Sequence, residues 1–260
     1  MLTYPQIDPV AIALGPLKIH WYGLMYLLGF AAVWILGKKR AEKRYSVIKP
    51  EAMEDLVFYG ALGVILGGRI GYVLFYNFSR FVDDPIILFK MWEGGMSFHG
   101  GMLGVFIAMW WFAKKQNCTM LELTDHISPL VPIGLGAGRI GNFINAELWG
   151  RTSDVPWAMV FPNGGPLPRH PSQLYEAGLE GVLLFIILWI YTSKQRPVMA
   201  PTGLVLFLYG CFRFSVEFFR MPDAHLGYLA LDWLTMGQIL STPMIIIGAS
   251  LYFYAYKKAA

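Results

Sequence analysis

Cysteine and charge are scarce in this sequence: two cysteines occur among 260 residues, and charged residues make up 15% of the chain. Cys118 and Cys211 support neither a disulfide framework nor a thiolate metal site, so we expect two packed thiols and no metal. No HExxH, CxxC, Walker or GxSxG motif is present. These absences count against hydrolytic and nucleotide chemistry, and we expect no cofactor.

Long apolar stretches are what the chain has in abundance. Hydrophobic residues make up 56% of it, which is above the share found in soluble domains. Because crossing about 30 Å of hydrocarbon takes roughly 20 mostly apolar residues, the pattern predicts an all-α polytopic membrane protein with about seven transmembrane helices. The predicted spans are 17–37, 53–76, 98–114, 123–142, 173–192, 202–220 and 236–256.

Basic residues predict the orientation of these spans. Cytoplasmic loops of membrane proteins are enriched in Lys and Arg, and the basic clusters here follow odd-numbered spans. We therefore place the N-terminus outside and the C-terminus in the cytoplasm. The clusters are Lys38, Lys39, Arg40, Lys43, Arg44 and Lys49 after the first span, Lys114 and Lys115 after the third, Lys194 and Arg196 after the fifth, and Lys257 and Lys258 after the seventh.

Two longer segments outside the membrane follow from this topology. Residues 77–97 contain Asp83, Asp84 and an apolar PIILF stretch, which indicates an interfacial helix, and residues 143–172 form an insert rich in glycine and proline. The N-terminal stretch before the first span lacks Lys and Arg, so we expect no cleaved signal peptide. No repeat or long linker divides the chain, and we predict a single integral membrane domain over residues 1–260.

Arginines inside apolar stretches are the first candidates for function. Arg69, Arg139, Arg213 and Arg220 lie within or at the ends of predicted spans. A charge at such a position costs at least about 2.5 kcal/mol on insertion scales. Any one arginine alone is equally well explained by snorkelling to the interface or by an ion pair with a carboxylate. Four together favour a ligand site.

The sixth span gives two of these arginines a common face. Tyr209, Arg213, Glu217 and Arg220 are spaced so that a helix places them on one side. Spans two, four and six run outward, which brings the arginines toward the outer leaflet. Because a guanidinium presents a planar fork of donors suited to phosphate, they indicate a phospholipid headgroup as ligand.

The segment Ser97-Phe98-His99-Gly100-Gly101 opens the third span and places an imidazole at the outer boundary. His99 is a candidate general base, and the alternative is a hydrogen-bonded structural histidine. The neighbouring glycines permit close approach of a helix or a ligand. The histidines without comparable support are His20, His126, His170 and His225.

Polar residues also interrupt the glycine-rich stretch 134–150. Close helix packing explains its glycines, but it does not explain Arg139, Asn142, Asn145 and Glu147. These residues predict a polar pocket. In the string that opens the fifth span, Ser172 is interpreted as a helix cap. For Gln173 and Glu176, a structural role and a position in the polar pocket both stay open.

Five segments together resemble the bacterial prolipoprotein diacylglyceryl transferases and cover essentially the whole chain. They are HWYG at 20–23, SFHGG at 97–101, GRIGNFINAELWG at 138–150, HPSQLYE at 170–176 and YGCFRFSVEFFR at 209–220. The resemblance implies transfer of diacylglyceryl from phosphatidylglycerol to the lipobox cysteine of a prolipoprotein signal peptide. It also implies an inner-membrane enzyme with a periplasmic insert at about 143–172 and an active site toward the periplasm. The partners would be those two substrates and membrane lipids, and no nucleic acid.

Carried over to the matching positions, the resemblance makes His99, Arg139 and Arg213 catalytic. His99 is expected to take the thiol proton, because the thiolate is the nucleophile. The two arginines are expected to clamp the phosphate and stabilise the leaving oxygen, with Glu147 organising them. The substrate-binding set is Tyr22, Asn142, Asn145, Glu147, Gly150 and Tyr209 from the motifs, with Arg69, Glu217 and Arg220 from the spans. For Arg69 and Arg220, substrate contact and a structural ion pair both stay open.

A lipid or organic-anion transporter explains seven spans and buried arginines equally well. Transporters often show paired halves or broken helices, which this sequence does not show clearly, and transport does not account for His99. An intramembrane protease has less support, because no serine has a nucleophile setting and no aspartate pair lies inside the spans. The transporter is therefore the alternative to the transferase.

Overall fold

The computed structural model describes residues 2–15, 17–222, 227–231 and 233–260, and these are mostly helical. The α-helices are α1 (Trp21–Ala41), α2 (Ala52–Tyr76), α3 (Phe78–Asp83), α4 (Phe98–Lys115), α5 (Met120–Ile127), α6 (Val131–Ile144), α7 (Ser172–Glu176), α8 (Leu184–Tyr191), α9 (Ala200–Val216) and α10 (Met236–Ala259). Two short 3-10 helices, Pro85–Leu88 and Met91–Glu93, lie between α3 and α4. A π-helix, Ala177–Leu183, joins α7 to α8.

Four helical stretches of the described chain are long and apolar enough to cross a membrane. They are Trp21–Ala41, Ala52–Tyr76, Ser172–Tyr191 and Met236–Ala259. The helices α4, α6 and α9 are apolar as well, but they are shorter, with 18, 14 and 17 residues. The chain is therefore a helical, membrane-embedded protein, and the count of seven spans stays a prediction.

Three predicted spans have different bounds in the structure. The first, 17–37, is helical only from Trp21, because Leu17–His20 is a strand, and its helix continues to Ala41. The stretch 123–142 is not one helix, because α5 ends at Ile127 and α6 begins at Val131. Pro129 and Pro132 explain the break, since proline lacks an N–H group and restricts the residue before it. The sixth span, predicted to reach residue 220, ends as a helix at Val216. Residues 217–220 pair instead with another segment of the chain.

Residues outside the long helices are less regular than predicted. The segment 77–97 is not a single interfacial helix but α3 followed by the two 3-10 helices. The all-α prediction also omitted four short strands, which are β1 (Leu2–Thr3), β2 (Val10–Leu14), β3 (Leu17–His20) and β4 (Met159–Val160). Strands β2 and β3 form an antiparallel hairpin, and β1 pairs in parallel with β4.

The chain divides into two compact units: residues 1–35 with 124–260, called the first unit, and residues 36–123, called the second unit. In the second unit, glycines set the packing of α2 against α4. A Cβ on Gly63 would lie 2.7 Å from the carbonyl oxygen of Gly104, and one on Gly71 would lie 2.7 Å from the Cα of Gly100. Larger side chains would therefore push these helices apart.

In the first unit, glycines bring α9 close to α10. A Cβ on Gly203 would lie 2.8 Å from the carbonyl oxygen of Gly248. Residues 145–171, which follow α6, share a small hydrophobic core with the N-terminal segment and the end of α6. Phe161, which is fully buried, packs there with Tyr4 and Phe143. This core ties the N-terminal strand β1 to the end of α6.

Candidate functional site

Three arginine side chains of the first unit converge on one buried carboxylate. Glu176, the last residue of α7, has a side chain that is only 1% exposed. Its Oε2 lies 2.5 Å from Nε of Arg139. Its Oε1 lies 3.3 Å from Nη1 of Arg213 and 3.6 Å from Nη1 of Arg220. One acidic side chain therefore holds together arginines from α6, α9 and the turn that follows α9.

Two further glutamates complete a buried network of charges. Oε2 of Glu217 lies 2.7 Å from Nη2 of Arg213, and its Oε1 accepts a 2.9 Å hydrogen bond from the Thr235 hydroxyl. Oε2 of Glu180 lies 3.8 Å from Nη2 of Arg139. The network thus sets three guanidinium groups against three carboxylates. In the described part of the chain, no group of His, Cys, Asp and Glu side chains is arranged to hold a metal ion.

Close helix packing brings Arg139 to these glutamates. Gly136 and Gly181 face each other where α6 meets the π-helix, and a Cβ on Gly181 would lie 2.7 Å from the Cα of Gly136. Arg139 follows Gly136 by about one helical turn. Glu176 immediately precedes the π-helix and Glu180 lies within it, and both reach Arg139. Such π-helical turns occur frequently at functional sites.

Backbone pairing positions Arg220, which lies beyond the end of α9. Gly150 and Arg220 form an antiparallel bridge, and Nε of Arg151 donates to the Arg220 carbonyl at 3.0 Å. A Cβ on Gly150 would lie 2.5 Å from the carbonyl oxygen of Phe219 and 2.7 Å from the Cβ of His170. The structure thus gives Gly150 a packing role, and the substrate contact predicted for it stays a prediction.

The amides of the 138–150 segment form a separate polar group with Glu147. Nδ2 of Asn142 donates to Oε1 of Glu147 at 2.7 Å, and Nδ2 of Asn145 lies 3.4 Å from the same oxygen. Asn142 is 6% exposed, whereas Glu147 is exposed. Glu147 was expected to organise the arginines, but the structure gives that position to Glu176, because α7 and not the 145–150 turn packs against them.

The 145–150 turn is held in an uncommon backbone conformation. Ala146 and Leu148 have positive φ angles of 52° and 57°, which side chains other than glycine rarely adopt. Nε2 of Gln173 donates to the Glu147 carbonyl at 2.6 Å, and the Ser172 hydroxyl donates to the Leu148 carbonyl at 3.0 Å. Ser172 is therefore not the helix cap that was predicted, since it is the first residue inside α7. Strain of this kind persists where surrounding contacts enforce it, often at functional sites.

Two tyrosines that were predicted to bind substrate lie near the catalytic arginines. Tyr22 packs on the helix that carries Arg139, and Tyr209 lies on the helix that carries Arg213. Tyr22 is the second residue of α1, and its ring packs on Gly141, where a Cβ would lie 2.6 Å from the ring carbon Cδ2. Gly141 lies two residues after Arg139 on α6. Tyr209 lies one turn before Arg213 on α9 and is half-buried.

His170 forms a compact aromatic group beside the bridge at Gly150. Its Nδ1 lies 3.0 Å from the Tyr175 hydroxyl, which accepts a 2.6 Å hydrogen bond from Nε1 of Trp157. Burial lowers the pKa of His170 below its ordinary value. Burial therefore disfavours the protonated form of this ring.

Arg69 lies in the second unit, in a setting unlike that of the other three arginines. It is 2% exposed, and its five N–H groups have five backbone carbonyls as acceptors. Those carbonyls belong to Ile87, Leu88, Lys90, Gly94 and Gly95. Within the described chain, no N–H group of Arg69 is left for the predicted substrate contact, and the residue instead holds the 87–95 segment.

His99 also lies in the second unit, in the first turn of α4, with its side chain exposed. Ser97 caps this helix by accepting a 3.2 Å hydrogen bond from the N–H of Gly100. The N–H of Ser97 donates to the Gly68 carbonyl at 2.9 Å, which fixes the start of α4 to α2. An exposed imidazole at a fixed helix start is available for proton transfer. His225 lies outside the described residues.

Sequence reasoning assigned no role to Glu180 and left the role of Glu176 open. Both lie inside the apolar stretch Ser172–Tyr191, four residues apart. Acidic side chains inside a span are expensive, as arginines are. An ionisable residue inside an apolar stretch is the signal that identified the arginines. The same signal, applied to acidic residues, identifies both glutamates.

The whole chain is similar to proteins of one family. The family described as prolipoprotein diacylglyceryl transferase matches residues 9–254. The phosphatidylglycerol–prolipoprotein diacylglyceryl transferase of Pseudomonas aeruginosa is 62% identical over 260 residues, which cover 100% of this chain and 98% of the relative. That of Pseudomonas fluorescens is 58% identical over 262 residues, covering 100% and 97%. This chain therefore belongs to the prolipoprotein diacylglyceryl transferase family.

Proposed function

We propose that this chain transfers the diacylglyceryl group of phosphatidylglycerol to the lipobox cysteine of a prolipoprotein signal peptide. The thiolate sulfur bonds to the glycerol carbon that carries the phosphate, and the bond from that carbon to the phosphate oxygen breaks. The electron pair leaves with the oxygen of glycerol phosphate. The products are a thioether and glycerol phosphate, and this is the first step of lipoprotein maturation.

The convergence of Arg139, Arg213 and Arg220 on Glu176 is the observation that carries the proposal. Planar guanidinium forks bind phosphate with two parallel hydrogen bonds, and this attraction is stronger where water is excluded. The side chains of Arg139 and Arg213 are 19% and 14% exposed, so a ligand can reach them. Both would hold the phosphate and stabilise the negative charge that develops on the leaving oxygen.

The remaining residues have supporting roles in this proposal. His99 takes the proton from the thiol, since a thiol is mostly protonated at neutral pH. Asn142, Asn145, Tyr22 and Tyr209 orient the substrates. Glu217 and Arg220 contribute to substrate binding from the arginine network, and Glu147 and Gly150 do so from the 138–150 segment.

We place the enzyme in the bacterial inner membrane with its N-terminus in the periplasm and its C-terminus in the cytoplasm. The basic clusters in the last turns of α1, α4 and α10 and after α8 support this orientation, because such clusters mark cytoplasmic ends. Residues 145–171 would then be periplasmic. Phosphatidylglycerol would reach the site from the membrane, and the signal peptide would do so as well.

A mass measurement tests the proposed function directly. Purified protein is incubated with phosphatidylglycerol and a lipobox peptide, and the peptide is expected to gain the mass of one diacylglyceryl group. A peptide with serine in place of the lipobox cysteine is the control and should gain nothing. Movement of phosphatidylglycerol across vesicles without any thioether product would instead support the transporter alternative.

A further inference from the structure

Glu180 is a buried carboxylate that the proposed reaction does not use. Its side chain is fully buried in the π-helix, and neither carboxylate oxygen has a hydrogen-bond partner among the described residues. It approaches Arg139 at 3.8 Å, beyond hydrogen-bond distance. A buried carboxylate without hydrogen bonds is costly, so packing alone does not explain why this residue is acidic.

We propose that Glu180 is a specificity residue that weakens the binding of phosphomonoester dianions relative to phosphodiester monoanions. The inference rests on the proposed function. Phosphatidylglycerol presents a phosphodiester with one negative charge, whereas the glycerol phosphate released is a phosphomonoester with a charge approaching about −2 at neutral pH. The reaction therefore increases the negative charge of the group that the arginines hold.

The charges of the network give the direction of the effect. Coulomb energy scales with the product of the charges, so uncompensated arginines would hold the product more tightly than the substrate. Glu176 and Glu217 offset two of the three positive charges, but they also fix the arginines through contacts of 2.5 to 3.6 Å. Glu180 offsets the third charge from 3.8 Å, without a hydrogen bond to any arginine.

This arrangement makes Glu180 a determinant of product release. When all three glutamates are ionised, they offset the three arginines, and the network is formally neutral before substrate binds. A dianionic product then gains less from the arginines than it would from a positively charged site. Glu180 acts by changing the electrostatic field at Arg139. It touches no reacting atom, so it is a positioning residue and not a catalytic one.

The variant Glu180→Gln removes the charge while keeping the shape of the side chain and every hydrogen bond of the described site. The full-length enzyme is assayed at mildly alkaline pH, where carboxylates are ionised and glycerol phosphate is a dianion. The two quantities measured are KM for phosphatidylglycerol and the inhibition constant Ki for glycerol phosphate. We expect Ki to fall about tenfold and KM about threefold, because a dianion gains twice the Coulomb energy of a monoanion.

Two further variants separate charge from structure. Glu180→Asp keeps the charge and should keep the wild-type ratio of Ki to KM even if the protein becomes less stable. Glu51→Gln makes the same chemical change at an exposed position before α2 where the side chain caps nothing, and it should leave both constants unchanged.

The outcomes are distinct. If Glu180→Gln leaves the ratio of Ki to KM unchanged, or raises Ki, the inference is overturned. A structural defect would raise KM and lower thermal stability with the ratio unchanged, which also counts against it. If the wild-type protein forms no thioether, the proposed function fails, whereas thioether formation with an unaltered ratio in Glu180→Gln rejects the role of Glu180 alone.

Discussion

The guanidinium groups of Arg69, Arg139 and Arg213 have two kinds of partner. Arg69 is 2% exposed and donates to backbone carbonyls, which are neutral acceptors. Arg139 and Arg213 pair with carboxylates and stay partly exposed, at 19% and 14%. Only the second kind combines a fixed position with access for an anionic ligand. The partners of an arginine, and not its position in an apolar stretch, therefore separate a structural role from a functional one.

Replacing either clamp arginine by lysine tests the need for a planar fork. Lysine keeps the positive charge but has one donor centre, so it cannot contact Glu176 and a phosphate in the same geometry. We expect Arg139→Lys and Arg213→Lys each to lower kcat/KM for thioether formation about 100-fold. Arg80→Lys, which alters an exposed ion pair, is the matched control. Near-normal turnover in both clamp variants would show that charge alone suffices.

Arg69→Lys should act on stability instead of substrate binding. Lysine cannot reach five carbonyls, so the 87–95 segment loses most of its anchor, and each charged hydrogen bond contributes about 1.5–3 kcal/mol. We expect a lower melting temperature and faster tryptic cleavage after Lys90, with KM for phosphatidylglycerol unchanged in the folded enzyme. A raised KM at unchanged melting temperature would restore the substrate contact that the sequence predicted.

The polar residues of the site were predictable, but their pairing was not. Asn142 and Arg139 are conspicuous in sequence because lipid offers no packing reason for such side chains. The choice of Glu176 over Glu147 as the common acid depends on where α7 packs against α6, and that contact is made through Gly136 and Gly181. Sequence spacing within one helix carries no information about such a crossing.

At the scale of the elements, hydropathy found the long helices and missed what interrupts them. The bounds of α2 and α10 agree closely with the predicted spans 53–76 and 236–256, since both are continuous and apolar. The end of α9 was missed because residues 217–220 bond to Arg151 and Gly150, a tertiary contact. The π-helix was missed as well, because apolar periodicity does not distinguish it from an α-helix.

The crossing of α6 with the π-helix can be tested by a substitution at Gly181. Gly178, in the same π-helix, provides the control. A methyl group on Gly181 would meet the backbone of Gly136 at 2.7 Å, so Gly181→Ala should separate the two helices and move Arg139 away from Glu176. We expect kcat/KM to fall at least about tenfold, as small displacements in a site commonly do. Gly178→Ala, which meets nothing within 4 Å in the same π-helix, should behave as wild type. Equal activity of the two variants would mean that the crossing does not set the site.

At the scale of the whole molecule, the number of spans depends on three short helices. With a rise of 1.5 Å per residue, the 14 residues of α6 extend about 21 Å, less than the thickness of about 30 Å that must be crossed. The window 123–142 looked long enough in sequence because it counted apolar residues across the break at Pro129. Whether α4, α6 and α9 each complete a crossing with the residues beside them sets the count between four spans and seven.

The positions of the two termini distinguish an odd count such as seven from an even count such as four, because an odd number of spans places them on opposite sides and an even number places them on the same side. Gln6 and Ala260 are both exposed, so Gln6→Cys and Ala260→Cys can each be introduced into a chain whose Cys118 and Cys211 are replaced by serine. In spheroplasts treated with a membrane-impermeant maleimide, we expect the cysteine at position 6 to react and the one at position 260 to be protected until the membrane is permeabilised. Labelling of both in intact spheroplasts, or of neither, would exclude seven spans and would require the basic clusters to be reassigned to both sides.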